Sequence, residues 1–361
     1  MIHIFIGTKA QLIKMAPVMA ELQDREIEYN FIFSGQHQAT IKDIREEFNL
    51  KQPDVVLYKG TDITGIFQML LWSIRIVFFT LINREKVWKG DKKGIVLNHG
   101  DTFSTLLGTL SAKICGLRTA HIESGLRSYN LLHPFPEELT RRITFLFTDI
   151  YFAPGDWALN NLKNYKGVKI NTQANTLLDA LRASNDAINQ SSVPIPDKPY
   201  AVVSLHRFEN IFSKKRLQKI IELLEDIAEK HYLLFILHKP TLKKLEQYGL
   251  YERLKRNSNT ELRPRYSYFQ FIRIIKHATF VVTDGGSNQE ECYYLGKPCL
   301  ILRNATERCE GIDSNAVLSK YRPQLIQSFL DKLETNHGAV FELDTIHPSI
   351  SIVDALIGQQ T

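Results

Sequence analysis

The chain has little that would staple, metallate or bury it in a membrane. Its four cysteines (Cys115, Cys292, Cys299, Cys309) include no CxxC pair and fall in or beside predicted core elements. They read as reduced thiols, not as a disulfide framework or a thiolate metal set. There is no HxH or HExxH spacing, so no metal site is expected. Neither half carries GxGxxG after its first strand-like run, which removes a dinucleotide-binding oxidoreductase. No Pro/Gly-rich or Gln/Asn-rich tract interrupts the 361 residues, and no internal repeat stands out beyond a general βα alternation. A net charge of +6 is too weak to argue for nucleic acid, and suits an anionic small molecule or an acidic membrane surface. The opening MIHIFIG is strand-like without a charged leader, so a cytoplasmic location is expected. One apolar run, IFQMLLWSIRIVFFTLI (66–82), falls short of the roughly 20 residues that span a bilayer and carries Arg75 near its centre. It reads as a buried or partly amphipathic helix, with peripheral membrane contact through an exposed aromatic face as the alternative.

What is present is length and alternation. A chain of this size exceeds one ordinary core and fits two domains. Strand-like runs at Ile2–Ile6, Tyr29–Phe33, Gly94–Asn98, Thr119–Ile122 and Ile150–Phe152 alternate with helix-like runs, as do Tyr200–Ser204, Tyr232–Leu237, Thr279–Thr283 and Pro298–Leu302. That pattern predicts α/β architecture with parallel sheets covered by helices. The polar QSSVPIPDKP (190–199) marks the linker or lies just after it.

In open parallel sheets ligands sit beyond the carboxyl ends of the strands, so residues following each strand carry the information. They are Gly7-Thr8-Lys9, Ser34-Gly35-Gln36-His37, His99-Gly100-Asp101-Thr102, Glu123-Ser124-Gly125, Ser204-Leu205-His206-Arg207, His238-Lys239, Asp284-Gly285-Gly286-Ser287 and Arg303. Asp101 precedes a helix and is either its N-cap or an acid/base group. Glu123 ends a strand with Ser-Gly behind it and no helix to cap, which favours acid/base work. In HPFPEELTRR (133–142), Pro136 is placed at the first helical position; Glu137 and Glu138 then serve either the helix dipole or chemistry. His206, with Arg207 beside it, belongs to a polar turn. Carboxylates, a histidine and several cations together suit proton transfer on an anionic substrate.

Taken in order, GTKAQLIKMAP, HGDT, HIESGLRS, HPFPEELTRR, HRFEN, DGGSNQEE, LGKPCLILR and TERCEG resemble the non-hydrolysing, bacterial-type UDP-N-acetylglucosamine 2-epimerases, from residue 1 to about 311. The resemblance implies a GT-B-type fold of two Rossmann-like, doubly wound domains facing a central cleft. The N-terminal domain would take residues 1–175 plus a closing helix at about 348–361, and the UDP-binding domain 176–347. It implies interconversion of UDP-GlcNAc and UDP-ManNAc without a cofactor, through elimination of UDP to a 2-acetamidoglucal and re-addition, in a homodimer. By the same resemblance, Asp101, Glu123 and Glu137 take the positions of the catalytic carboxylates and His206 that of the catalytic histidine. Lys9, Lys14, Arg127, Arg207 and Arg308 become substrate contacts, Phe271 lines the uracil pocket, Gly285, Gly286 and Ser287 form the diphosphate loop, and Glu291 meets the ribose. Ser287-Asn288-Gln289-Glu290 fits a capping box, which would turn Glu290 back onto Ser287. The sequence departs from the family's pattern at Lys9-Ala10-Gln11, where Arg-Pro-Glu is usual, and in the shortened His238-Lys239-Pro240.

Overall fold

The computed structural model describes residues 1–37, 41–63, 65–130, 136–186, 193–312, 314–333 and 343–359. Two compact units form: residues 1–183 with 344–361, and residues 184–343. The first part of the expected linker (190–192) and His133–Phe135 lie outside the described residues.

Unit 1 carries, among its described residues, a seven-stranded parallel sheet in the order β3-β2-β1-β4-β5-β6-β7. Its strands are β1 (Ile2–Ile6), β2 (Tyr29–Phe33), β3 (Val55–Val56), β4 (Ile95–His99), β5 (Arg118–Ile122), β6 (Ile150–Ala153) and β7 (Val168–Asn171). Ile2 pairs with Tyr29 on one side and Ile95 on the other, so β1 is central, and all five of its residues are buried. A strand covered on both faces can be apolar throughout, which is why MIHIFIG is legible as a strand.

Unit 2 repeats the plan. Strands β8 (Tyr200–Ser204), β9 (Tyr232–Leu237), β10 (Thr260–Pro264), β11 (Phe280–Thr283), β12 (Cys299–Ile301) and β13 (Ala316–Leu318) form a parallel sheet ordered β10-β9-β8-β11-β12-β13. One core layer joins Val203, Phe235 and Val282 of the sheet to Leu217, Ile220, Leu224 and Ile227 of the helix Lys214–Ala228. In both sheets the order reverses beside the first strand, between β1 and β4 and between β8 and β11. These switch points are where loops part to leave room for a ligand.

The units divide after Ala183, eight residues beyond the expected 175, and inside the helix Leu177–Asp186. The physical reason is local. Leu177, Ala180 and Leu181 are buried, Asp179 accepts from the Ser349 N–H at 2.8 Å, and Arg182 donates to the Ile346 carbonyl at 2.5 Å. Those bonds tie the start of this helix to the terminal helix Pro348–Gly358, which packs on Lys9–Asp24 of unit 1.

The helix Ile66–Ile82 turns Trp72, Ile76 and Thr80 inward. Its outer side is apolar too, which differs from a buried or amphipathic helix: Phe67, Leu70, Leu71, Ile74, Phe78 and Ile82 are exposed. Among the described residues, no helix is long and apolar enough to cross a membrane. All four cysteines are free; Cys309 lies exposed on a loop, outside the core where it was expected.

Candidate functional site

In unit 1 the loops after β4 and β5 hold two carboxylates, each against its own cation. Thr102, not Asp101, caps the helix Phe103–Ile114, its hydroxyl accepting from the Thr105 N–H at 3.2 Å. Asp101 is thereby released from capping, and its carboxylate pairs with the buried guanidinium of Arg141. Thr140 Oγ1 donates to the Asp101 carbonyl at 2.5 Å, fixing the same loop from the same helix.

Glu123 follows β5 with φ +60°, a left-handed conformation that a non-glycine residue holds only when its surroundings impose it. Lys14, buried on the helix Lys9–Asp24, pairs with its carboxylate, Asn175 Nδ2 donates to it, and His99 Nε2 lies 3.6 Å away. Gln11 ties the first loop to this cluster. Its Oε1 accepts from the Gly7 and Thr8 N–H groups at 2.9 and 3.1 Å, and its Nε2 donates to the His99 carbonyl at 2.9 Å. Lys9 is the first residue of that helix and is half-buried.

His121 links the two carboxylate loops. Its Nε2 donates to the Gly100 carbonyl at 2.7 Å, which obliges Nδ1 to accept from Ser124 Oγ at 2.7 Å. Burial, opposed by the Gly100 bond and nearby carboxylates, brings its pKa down to about 4. Because this folded value lies below the unfolded one near 6.5, the unfolded chain binds the extra proton between them. His121 therefore adds stability at neutral pH that is lost as pH falls from about 6.5 to about 4. Urea unfolding at pH 7 and pH 4.5 should show that loss, and show less of it in His121→Asn.

Pro136 is the N-cap of the helix Glu137–Leu146, one place before the expected first helical position. Glu137 opens the helix half-buried, while Glu138 is fully buried and structural. It accepts from Arg127 Nε at 2.5 Å and from the Ser128 N–H at 2.9 Å. Burial pushes its pKa up, but the Ser128 bond and the Arg127 and Arg141 charges outweigh that and hold it below the usual range. Arg127 is thus engaged by a carboxylate of its own chain, and also lies 5.1 Å over the Tyr129 ring.

Unit 2 centres on the fully buried Asp284, just after β11. Its carboxylate accepts from the N–H groups of His206 (2.9 Å) and Arg207 (3.1 Å) and from Asn210 Nδ2 (2.9 Å). Arg207 reaches Glu307 at 3.0 Å, and Arg303 reaches it at 3.1 Å. Burial opposes ionisation of Glu307, yet the charges of Arg207, Arg303 and Arg308 bring its pKa to about 2.

The helix Gly286–Tyr294 starts from Gly285 as N-cap with no side-chain cap, so the expected capping box does not form. Glu290 instead pairs with Arg308 at 2.7 Å and meets the Tyr294 hydroxyl at 3.4 Å. A cation one loop away outcompetes a local N–H for a buried carboxylate. Glu291 is buried and accepts from Asn288 Nδ2 at 2.8 Å. Gly285 lies close to the His206 ring: an added Cβ would stand 2.8 Å from His206 Cε1, so that ring would have to shift. Gly286 lies under Arg308, whose Nε would be 3.1 Å from an added Cβ, and Ser287 is half-buried beside it. Phe271 sits half-buried on the helix Tyr268–His277.

The structure thus joins Lys14 to Glu123, His206 to Gly285 and Arg308 to Gly286. It adds Arg141, Asn175, His121 and Glu307 to the expected set, and sets His238, already noted after its strand, against the His206 ring. Arg141 was within reach of sequence reasoning, one turn after Glu137 on the same helix. His238 follows a parallel strand, but Asn175 arrives from a loop with no motif of its own.

Two doubly wound parallel sheets with ionised and hydrogen-bonding loops at their switch points define an α/β enzyme of the GT-B class. Comparison with known proteins narrows the class. A profile of UDP-N-acetylglucosamine 2-epimerases matches residues 20–345. A UDP-N-acetylglucosamine 2-epimerase of Methanococcus maripaludis is 32% identical over 350 residues, covering 92% of this chain and 91% of its own. The Methanocaldococcus jannaschii UDP-GlcNAc 2-epimerase, solved with UDP-GlcNAc and UDP, superposes with TM-score 0.81 at 27% identity over 99% of both chains. The Neisseria meningitidis enzyme bound to UDP-GlcNAc gives TM-score 0.82 at 27% identity, again over 99% of both chains. The chain belongs to the UDP-N-acetylglucosamine 2-epimerase family, and is an epimerase by family.

Proposed function

We propose that the chain is a non-hydrolysing epimerase that interconverts UDP-GlcNAc and UDP-ManNAc. The observation that carries this reading is the pair of carboxylates in unit 1, Asp101 and Glu123, each held by a buried cation and bridged through His121. Inverting C2 needs one group to take its proton and another to return a proton on the opposite face, and two separately positioned acids meet that need. Glu137 and Lys9 take part in the same half of the work. Unit 2 holds the nucleotide: Gly285, Gly286 and Ser287 offer N–H groups at a helix start, Arg207 and Arg308 supply positive charge, Glu291 meets the ribose and Phe271 the uracil. His206 is the acid/base group of this unit. The proton at C2 moves without net oxidation, so no redox cofactor is called for. The product supplies a ManNAc-type unit for bacterial surface polysaccharide, made in the cytoplasm.

The test is incubation with UDP-GlcNAc in D2O followed by proton NMR. UDP-ManNAc bearing deuterium at C2 is expected. Free ManNAc with UDP would replace this reading by the hydrolysing one, and an unchanged spectrum would leave a glycosyltransferase, a nucleotide-sugar sensor or a different sugar.

The reading extends to a homodimer through the outer side of the helix Ile66–Ile82. Its six exposed apolar side chains, 47–77% accessible, offer roughly 600 Å² at about 175 Å² for each full side chain. Two copies would bury about 1,200 Å², the lower bound for a specific interface. Light scattering should give twice the 41.6 kDa chain mass, and Phe67→Glu with Phe78→Glu should give the monomer. A monomeric wild type that floats with anionic vesicles would assign the face to a membrane surface instead.

A further inference from the structure

His206 has its backbone fixed but its ring held by something else. Asp284 accepts from the His206 N–H, which anchors the main chain, yet its Oδ1 lies 3.7 Å from the ring Nδ1, longer than a hydrogen bond. The side chain is 40% exposed, so solvent alone would leave its χ angles several choices. Two neighbours narrow them. Gly285 closes on the Cε1–Nε2 edge, where a Cβ would stand 2.8 and 3.4 Å from those atoms. Against the ring lies a second imidazole, His238, with centroids 4.7 Å apart and planes tilted by 36°. His238 is itself well placed to be rigid. It is the N-cap residue of the helix Lys239–Gln247, directly after β9, and its Nε2 meets Ser204 Oγ at 3.3 Å, at the end of the adjacent β8.

We propose that His238 is the positioning residue of His206, setting the plane of its ring and the pH at which it takes up a proton. This inference rests on the epimerase reading for what the proton does, and on geometry alone for the pairing. Two imidazoles at stacking distance share neutral faces easily, but two imidazolium rings there repel each other. The pair therefore holds one proton over a wider pH range than either ring would alone. The charged groups nearby in the chain are Asp284 from the β11 loop, Arg207 on the same turn with its partner Glu307, and the exposed Lys239 next to His238 in sequence. Of these, Asp284 lies nearest a ring nitrogen, but its Oδ1 accepts from the His206 N–H and stands 3.7 Å from Nδ1, beyond hydrogen-bond length, while its Oδ2 accepts from Arg207 and Asn210.

The test uses the full chain with His238→Ala and His238→Phe. His238→Ala is expected to lower kcat on UDP-GlcNAc about 10-fold with KM within about twofold, because a misplaced proton donor costs rate and not binding. His238→Phe restores a flat ring and should recover most of kcat. In the same variant, long-range 1H–15N spectra should show His206 titrating at higher pH than in the wild type, with the limb of the pH–rate profile moving alongside it. Unaltered kcat in His238→Ala, equal losses in both variants, or an unmoved His206 titration would each overturn the proposal. Should the wild type leave UDP-GlcNAc unchanged, the epimerase reading falls, while the His206 titration still decides the pairing.

Discussion

Replacing Glu123 by Gln should cut epimerisation of UDP-GlcNAc by about 100-fold or more, measured as loss of C2 deuterium incorporation. The side chain keeps its shape, so the effect isolates the charge. Stability is affected as well, because Lys14 is buried against this carboxylate. A buried ion pair is expensive to break from one side: removing one partner costs about 3–5 kcal/mol, since the other charge is left without compensation. Lys14→Met, which strands the Glu123 carboxylate, should therefore lower the unfolding free energy more than Glu123→Gln, whose amide oxygen still accepts from Lys14. The double variant separates the two roles. Lys14→Met with Glu123→Gln removes both charges and should regain most of the lost stability, while turnover stays as low as in the single Glu123 variant. Recovery of turnover together with stability would show that Glu123 serves only to hold Lys14 and the loop. Wild-type turnover in Glu123→Gln would remove the carboxylate from the chemistry outright.

The sheets were legible where strands are central and silent where they are not. Runs such as Ile2–Ile6 and Tyr200–Ser204 are buried on both faces and announce themselves as apolar blocks. The strands that escaped the pattern, β3, β7, β10 and β13, have reasons of their own. Val55–Val56 is two residues long, Thr260–Pro264 is polar and partly exposed at an edge, and an edge strand need not be apolar throughout. In the site, residues that immediately follow a strand could be read in order, which is how Asp101, Glu123, His206 and Asp284 stood out. Their partners could not. Lys14 and Glu123 are 109 positions apart, and Asn175 lies 52 beyond Glu123. Only tertiary contact shows that Glu138 spends itself on Arg127 and Ser128. The capping box failed for a similar reason: the local pattern at Ser287 was correct as a propensity, but Arg308 offers Glu290 a charge that the helix start cannot match.

Asp284→Asn should be the second large effect, and it should fall on a residue that need not touch substrate. The carboxylate has no exposed surface and receives three donors from one turn: the N–H groups of His206 and Arg207 and the amide of Asn210. An asparagine offers one acceptor oxygen and turns an NH2 group towards donors on the other side. Asn210 cannot flip to correct the clash, because its Nδ2 also donates to the Leu302 carbonyl at 3.0 Å and its Oδ1 accepts from Tyr321 at 2.5 Å. At least one buried donor is then left unmet, at about 1–3 kcal/mol each. The turn that carries His206 and Arg207 loosens before the sheet does, since β8 and β11 keep their own ladder from Ala201–Phe280 to Ser204–Thr283. The expected outcome is a kcat lowered about 10- to 100-fold, with faster amide exchange confined to residues 206–210. Gln or Ala at this position should do worse than Asn, by steric misfit and by loss of all three bonds respectively. If exchange at 206–210 is unchanged in Asp284→Asn and kcat stays within about twofold, the anchor lies elsewhere. The stacking of His238 on His206 would then have to hold the turn as well as the ring.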